Sequence, residues 1–589
     1  MTMIHDSRRK KYRAPMGAQP CGTQIRLFLE TDAPEAIVRF WIDGRAYLYP
    51  MKPARGGFEY KFTLPEKPCV VWYYFICGDM FLGNAKDNLG GMGELYAHEP
   101  PSFQITVYDP AYATPDWLGD GVMMQIMPDR FFRGGDLPCR GRLHADWYEQ
   151  PEMCITENGD NAADDFSGGD LKGIAEKLDY IKSLGVTVIY LNPVFMSPSN
   201  HKYNTSDYMR IDPAFGTEED LRALCEKARA MGIRVILDGV FSHTGSDSIY
   251  FNREGNFGDG GAYNSETSPY ASWFSFRKWP DDYRSWWGFD TLPEVDKRSE
   301  SFRRFIYGGG DSVCVHWLRA GISGWRLDVA DELPMDFIAG FRARMKAERP
   351  DSALIGEVWE DPSRKVAYGA LRSYCLGDTL DSTMNYPLRE TILDFMLGKI
   401  NAGECVRALE SMYENMPPQF SRSTMNLLGS HDKPRALSIL ADVGNMEPDR
   451  KFRRPIELTS AQYALGRQRL ITAWRMVCAL PGMPCIYYGD EAGMYGMADP
   501  YCRAAYPWGR EDKELMEEYR AAIMCRHAHP ALKNGSVQLE AIGEDALRII
   551  RVLNNEKVVL SVNRAAEKQK IKGMNVPACG AVWAFRKLK

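Results

Sequence analysis

The chain has 589 residues, 45% hydrophobic and 25% charged, with a net charge of −6. That length predicts about four folding units with enough core to need no disulfide staples, and the balance excludes a disordered chain. With no basic stripe to neutralise phosphates, nucleic acid is excluded as a partner, and aromatics at 12%, including 14 Trp and 30 Tyr, favour a ligand with flat faces such as a sugar.

The segment before Pro15 carries charges but no apolar run of signal-peptide length, and no apolar stretch is long enough to span a bilayer, so a cytoplasmic protein without membrane contact is expected. The 14 cysteines contain no C-x-x-C pair, which points to free thiols rather than a zinc ribbon or a redox motif. From about Gln24 to Tyr108 apolar residues alternate at period two, as in Glu59 to Leu64 and Val70 to Ile76, with Asp43-Gly44 and Arg55-Gly56-Gly57 as turns, which predicts an N-terminal β-sandwich over residues 1–112. Its aromatics Trp41, Tyr47, Tyr60, Trp72 and Tyr73 are read as sandwich core.

From 119 to 531 short apolar runs alternate with helical ones, the pattern of βα units. Eight strands are expected, at Val122–Met127, Val186–Leu191, Arg234–Leu237, Gly324–Asp328, Ala353–Glu357, Ser382–Met384, Met425–Gly429 and Cys485–Tyr488. Eight predicts an α/β fold closed as a (β/α)8 TIM barrel. A long Gly-, Ser-, Tyr- and Trp-rich stretch, about 242–300, is read as a rim insertion after the third strand. Residues 532–589 return to alternating strands and predict a C-terminal antiparallel β-sandwich.

Chemistry in such a barrel sits at the carboxyl ends of the strands. Arg326 and Asp328 are two apart on one strand and share a face, so the guanidinium is expected to hold the carboxylate ionised, with a lowered pKa, as a nucleophile. Glu357 ends the next strand, and its apolar neighbours Ile355, Val358 and Trp359 suit a proton donor. Two carboxyls with opposed preferences are the equipment of glycoside cleavage, and a gap of about 5–5.5 Å gives retention of configuration. Asp432, His431, His243 and Tyr203 supply further groups to grip sugar hydroxyls, while Asp238, deeper on its strand, is read as support for Arg326.

The segments Asp238 to His243, Gly324 to Asp328, Gly356 to Trp359 and Ser430 to Asp432, in this order, resemble the four signature regions of the α-amylase superfamily of glycoside hydrolases. Ser197 to Thr205, Leu292 to Asp296 and Gly482 to Glu491 add to the likeness, which is nearest to its neopullulanase, cyclomaltodextrinase and amylopullulanase-like branch. The resemblance implies Asp328 as nucleophile, Glu357 as general acid/base and Asp432 as transition-state stabiliser. It further implies Tyr203 as a stacking platform, His243, Arg326 and His431 as sugar ligands, Trp359 and Phe289 on the leaving side, and Asp499 and Arg503 on the non-reducing side, where a rim salt bridge is the alternative reading. It implies a carbohydrate-binding-module-like N-terminal domain, α-glucan oligosaccharides as substrates, α-1,4 and also α-1,6 cleavage within the branch's range, and a homodimer through that domain. Transglycosylation by the same residues is the rival activity. No cofactor is required; calcium is common in relatives, and Asp136 and Asp170 are the candidate ligands here. Asp331 and Glu332 stand where starch-degrading members often have Lys-His, and Ser430 where many have Asn.

Overall fold

The computed structural model describes residues 2–153, 163–442 and 455–588. Eight parallel strands form one sheet: β1 Met123–Ile126, β2 Val188–Leu191, β3 Arg234–Gly239, β4 Gly324–Leu327, β5 Ala353–Gly356, β6 Ser382–Thr383, β7 Met425–Leu427 and β8 Met483–Tyr487. Each pairs with its neighbour in sequence, β8 returns to β1, and a parallel bridge from Met384 to Met425 joins β6 to β7, closing the barrel. These strands are buried on both faces, which is why they read as short, largely apolar runs. Inward-facing Met123, Val188, Ile236, Ala353, Ile355, Met425 and Met483 fill the interior. Outward-facing Met124, Ile189, Val235, Trp325 and Leu354 join the packing of the surrounding helices.

The helices follow their sequence signals. Thr217 and Asp220 cap the helix Glu218–Ala230 reciprocally, and Thr459 and Gln462 do the same for Ser460–Ala479. One unit departs from the (β/α)8 expectation: between β5 and β6 there is no α-helix. The stretch carries Pro362, Gly369 and Gly377 and lacks a 3.6-residue apolar period, and it forms a small hairpin, Val366–Ala367 paired with Ala370–Leu371. Tyr368 and Gly369, both at positive φ, make its two-residue turn. The N-terminal domain packs where that helix would lie, through Gln104 Nε2 to Ser363 Oγ at 3.1 Å and Tyr112 Oη to the Leu380 carbonyl at 2.7 Å. The rim insertion holds a two-stranded piece, Phe276–Lys278 with Asp282–Tyr283, over its own aromatic cluster of Tyr250, Phe251, Trp273 and Phe274.

The N-terminal domain is two antiparallel-rich sheets around a core of its own, built from Ile25, Leu27, Val38, Phe40, Val71, Tyr73, Phe75 and Phe103. Trp41 and Tyr47 are not in that core: they stay 39% and 38% exposed, because the strand Ile37–Ile42 turns Val38 and Phe40 inward and Trp41 outward. The C-terminal domain, expected as a sandwich, packs a hairpin on a sheet across Ala546, Ile571 and Val576. It is a four-stranded antiparallel sheet, Ser536–Ile542, Ala546–Leu553, Glu556–Asn563 and Gly580–Lys587, with a separate hairpin of Gln569–Ile571 and Met574–Val576. Its inner residues Leu539, Leu547, Ile549, Leu560 and Val562 belong to the same apolar cluster as the barrel helices. All cysteines among the described residues are free thiols, and Cys154 lies outside them. Among the described residues no helix is long and apolar enough to cross a membrane.

Buried charge docks the N-terminal domain on the barrel. Glu414, at the end of the helix Ala402–Asn415, accepts from Arg13 Nη2 at 2.6 Å and Arg8 Nε at 2.8 Å, with Arg13 fully buried. Removing one partner of a buried pair leaves the other charge uncompensated, so Glu414→Ala should cost about 3–5 kcal/mol. The loss is read as an earlier urea transition in tryptophan fluorescence; an unchanged midpoint would deny the docking role.

Candidate active site

Along each barrel strand every second residue faces inward, and towards the carboxyl end those positions change from apolar to polar. Above Met123, Val188, Ile236 and Gly324 come Gln125, Tyr190, Asp238 and Arg326, all buried. Asp328 and Glu357 are the next inward positions beyond the ends of β4 and β5. The layer is held by one guanidinium. Arg326 Nη1 donates to Asp238 Oδ1 and Oδ2 at 2.8 and 3.1 Å and to Asp328 Oδ1 at 2.9 Å. Its Nη2 lies 2.8 Å from Glu357 Oε2 as an ion pair without hydrogen-bond alignment. Asp328 and Glu357 are therefore brought together on one planar fork.

Glu357 is not in the apolar setting the sequence suggested. Besides Arg326 it receives the Val329 N–H on Oε2 at 2.8 Å and the Trp359 indole N–H on Oε1 at 3.0 Å. Val329 reaches it from a left-handed backbone, φ 36 and ψ 68, immediately after Asp328. A β-branched residue there carries strain of order 1–3 kcal/mol, stored where the chain must turn the amide onto Glu357.

The expected direction of the Asp328 shift is also reversed. Burial, then the like charges of Glu357, Asp238 and Asp432, push its pKa well above the ordinary aspartate value, and Arg326 pulls against them without prevailing. Carboxyls crowded away from water repel one another's charge more than the one guanidinium offsets at Asp328. Asp432 and Asp238 are raised as well, burial being the first cause in each. Side-chain exposure is 30% for Asp432 against 9% for Asp328 and 4% for Glu357, so Asp432 lines the open wall of the cleft while remaining surrounded by protein.

On that wall His431 Nε2 lies 3.1 Å from Asp432 Oδ2 and 2.6 Å from the Tyr203 hydroxyl. Gln125 Nε2, at 2.8 Å, donates to His431 Nδ1, which assigns the imidazole proton to Nε2. Burial first, then the charges of Arg503 and Arg326, hold His431 well below the usual histidine range, so the ring is neutral at neutral pH. Tyr203 lies parallel to His431, centroids 5.3 Å apart, and its hydroxyl accepts from Asn192 and donates to Asp238 Oδ2 at 2.9 Å. His243 Nε2 meets the Tyr203 carbonyl at 3.1 Å and its ring faces Trp286 at 5.0 Å; burial lowers it to about 4.

Arg503 joins Asp499 to this wall. It pairs with Asp499 at 3.2 Å, reaches Asp432 Oδ1 at 3.2 Å and donates from Nε to the His431 carbonyl at 2.8 Å, so it is more than a rim salt bridge. On the opposite side Trp359 stacks on Tyr386, centroids 4.5 Å apart and 7° from parallel, with Lys433 Nζ over its face at 4.3 Å. Phe289 stacks on Trp286, whose ring in turn meets His243 at the site. Sequence reasoning did not single out Gln125, Tyr190, Asn192 and Tyr386. A polar residue inside an apolar strand, as in Met123-Met124-Gln125-Ile126, was the available signal for the first.

Asp170 has a task other than metal binding. Its Oδ1 accepts from Gly173 N–H at 2.6 Å, capping the helix Leu171–Glu176, and its Oδ2 from Gly134 and Gly135 N–H at 3.0 and 2.9 Å. Donors aimed at both oxygens do not fit an ion that wants six to eight oxygen ligands, and Asp136 is exposed. Among the described residues no three His, Cys, Asp or Glu side chains gather as a metal site would need.

A model of the α-amylase catalytic domain matches residues 125–548, the stretch that contains all of these strand ends. The chain belongs to the α-amylase family. Among family members, an amylopullulanase of Thermoanaerobacterium saccharolyticum is 36% identical over 96% of this chain and 48% of its own length. A cyclomaltodextrinase of Geobacillus thermopakistaniensis is 34% identical over 81% of this chain and 75% of its own. The chain spans about half or less of the amylopullulanases it matches. Among solved structures, the cyclic α-maltosyl-(1→6)-maltose hydrolase of Arthrobacter globiformis is 30% identical with a TM-score of 0.69 over 80% of this chain and all of its own. The type III pullulan hydrolase of Thermococcus kodakarensis is 26% identical with a TM-score of 0.68 over the whole of both chains. The Arthrobacter hydrolase has been solved in complex with cyclic α-maltosyl-(1→6)-maltose and with maltose.

Beneath this family cleft, just past β8, Glu491 is fully buried and accepts from Tyr180 Oη at 2.8 Å while its second oxygen has no hydrogen-bond partner. Burial pushes it from 4.5 up to about 7. A carboxyl raised in this way binds its proton more tightly in the fold than in the unfolded chain. The stability linked to it is complete below the unfolded value and is lost as pH rises through the folded one. Glu491→Gln should therefore remove roughly 3 kcal/mol of stability loss between about pH 4.5 and 7. Urea midpoints across that range check it, and identical slopes in variant and wild type would refute the assignment.

Proposed function

We propose that this chain is a retaining α-glucan hydrolase that cleaves α-1,4 bonds, and also α-1,6 bonds, in maltodextrins, pullulan or cyclodextrins. The observation that carries the reading is the single guanidinium of Arg326 shared by Asp328 and Glu357, with Asp432 on the facing wall. Asp328 Oδ attacks the anomeric carbon while Glu357 gives a proton to the leaving oxygen, breaking the glycosidic bond and forming a glycosyl ester. As the ester forms, the negative charge on Asp328 is consumed and Glu357 acquires one, and Arg326, in contact with both, follows the charge without moving. Water then enters, Glu357 takes its proton, and the ester is released with the original configuration. Asp432, braced by His431 and Arg503, faces the positive charge that develops on the sugar ring.

Transfer to an acceptor sugar is the second reading. Trp359 keeps 38% of its surface exposed while backed by Tyr386, so a sugar hydroxyl can rest on the leaving side and replace water at the ester. Sizing the products from panose, pullulan and cyclodextrin separately decides linkage preference, and products longer than the substrate would favour transfer.

Asp328→Gly should lower kcat by about 10⁴-fold or more while maltodextrin binding persists. Azide added to this variant, with a glucosyl fluoride of α configuration as donor, should restore turnover and give the β-glucosyl azide, because the small anion fills the site of the lost carboxylate and displaces fluoride from the opposite face. Substantial activity without azide would remove Asp328 from the nucleophile's role.

A further inference from the structure

The two oxygens of Glu357 are held unequally. Oε2 is enclosed by a cation and a donor together, with Arg326 Nη2 and the Val329 backbone nitrogen both 2.8 Å away. Oε1 instead accepts from the Trp359 indole N–H at 3.0 Å. Neither group at Oε2 has a lone pair, so a proton placed on that oxygen would point at positive charge. The proton that an acid must deliver therefore rides on Oε1, beside the indole.

Trp359 is braced for this task. Its ring stacks on Tyr386, the first residue of the helix Tyr386–Met396, and Lys433 Nζ lies over it. The nitrogen edge of the ring is thus held against Glu357 while the residue stays partly exposed to the cleft. Val329 acts on the other oxygen, so a backbone donor and an indole donor grip the carboxyl from its two ends and fix its plane.

We propose that Trp359 is a positioning residue for the acid: its N–H fixes Oε1 as the proton-bearing oxygen and stabilises the charge left there when the proton departs. This rests on the hydrolase reading of the cleft. In that step the Oε1–H bond breaks and the proton passes to the glycosidic oxygen. The electron pair of the broken bond to the anomeric carbon stays on that oxygen, and Asp328 bonds to the carbon in its place. A hydrogen bond to an oxygen that is gaining charge strengthens as the step proceeds, and such stabilisation lowers a barrier. The ring face can carry a sugar; the ring nitrogen has this separate work.

An N–H donated to a carboxylate favours its ionised form, so its removal leaves the proton in place to higher pH. Around Glu357 stand Arg326 and Asp328 at the end of β4, Tyr190 on β2 and Tyr386. Asp238 on β3 shares the Arg326 guanidinium, Asp432 stands on the facing wall beside His431, and Lys433 lies over the indole. The substitutions that test the proposal change none of these.

Trp359→Phe keeps a ring and loses the N–H, whereas Trp359→Ala loses both. For maltotriose, kcat/KM followed across pH should fall about tenfold at its plateau in Trp359→Phe. Its alkaline limb should move up by about one unit in both variants, while KM rises further in the alanine variant alone. With α-glucosyl fluoride, whose fluoride leaves without a proton, the loss in Trp359→Phe should be smaller by about fivefold or more. An alkaline limb that stays in place in Trp359→Phe would overturn the proposal and leave Trp359 as a sugar platform. Equal losses on maltotriose and on the fluoride in that variant would do the same. A wild type without activity on either substrate would instead defeat the hydrolase reading, and this proposal with it.

Discussion

The active-site layer depends on one cation shared among three anions. Arg326 is fully buried and touches Asp238, Asp328 and Glu357 at once, so no carboxyl in the group can be described without the others. Asp238 is the anchor. It takes two contacts from the guanidinium and the hydroxyls of Tyr190 and Tyr203, which fixes the plane of the fork. Once that plane is set, the positions of Asp328 and Glu357 follow, and with them the gap between the two carboxyls. Burial and the like charges then do what a lone ion pair could not: they raise the hold of Asp328 and Asp238 on their protons.

The polar wall facing this layer is organised differently, through uncharged groups. Gln125, His431, Tyr203 and Asn192 pass hydrogen bonds around a closed circuit, so the imidazole has a fixed tautomer and the ring of Tyr203 is held parallel to it. A neutral histidine there adds no cation to compete with Arg326. Arg503 supplies the second positive charge at a distance, on Asp432, so each of the two arginines serves its own side of the cleft.

Much of this was readable from sequence because strands impose a period of two. Arg326 and Asp328, or Ile355 and Glu357, share a face by spacing alone, and the eight apolar runs are short enough that their ends announce the mouth of the barrel. Spacing on one strand shows Arg326 beside Asp328 and so a lowered pKa, whereas the burial that raises it, and the Glu357 and Asp238 carboxyls brought in from neighbouring strands by the parallel register, appear only in the fold. Glu357 was misread for the same reason: its donors come from Val329 and from the ring of Trp359, and neither hydrogen bond has a sequence signature. The missing helix after β5 was legible in principle, since Pro362, Gly369 and Gly377 interrupt any helical period, but counting eight strands encouraged an assumption of eight helices. Trp41 was assigned to a core because alternation says only that two faces exist, not which of them faces solvent.

The two β domains are attached by different physics. The N-terminal domain encloses its own apolar cluster and meets the barrel through arginines, a glutamate and a few hydrogen bonds, whereas the C-terminal sheet has its inner face merged with the barrel helices. A module that carries its own interior can be exchanged between catalytic chains by recombination with mainly polar contacts to rematch. A sheet that completes another domain's interior must be inherited together with it.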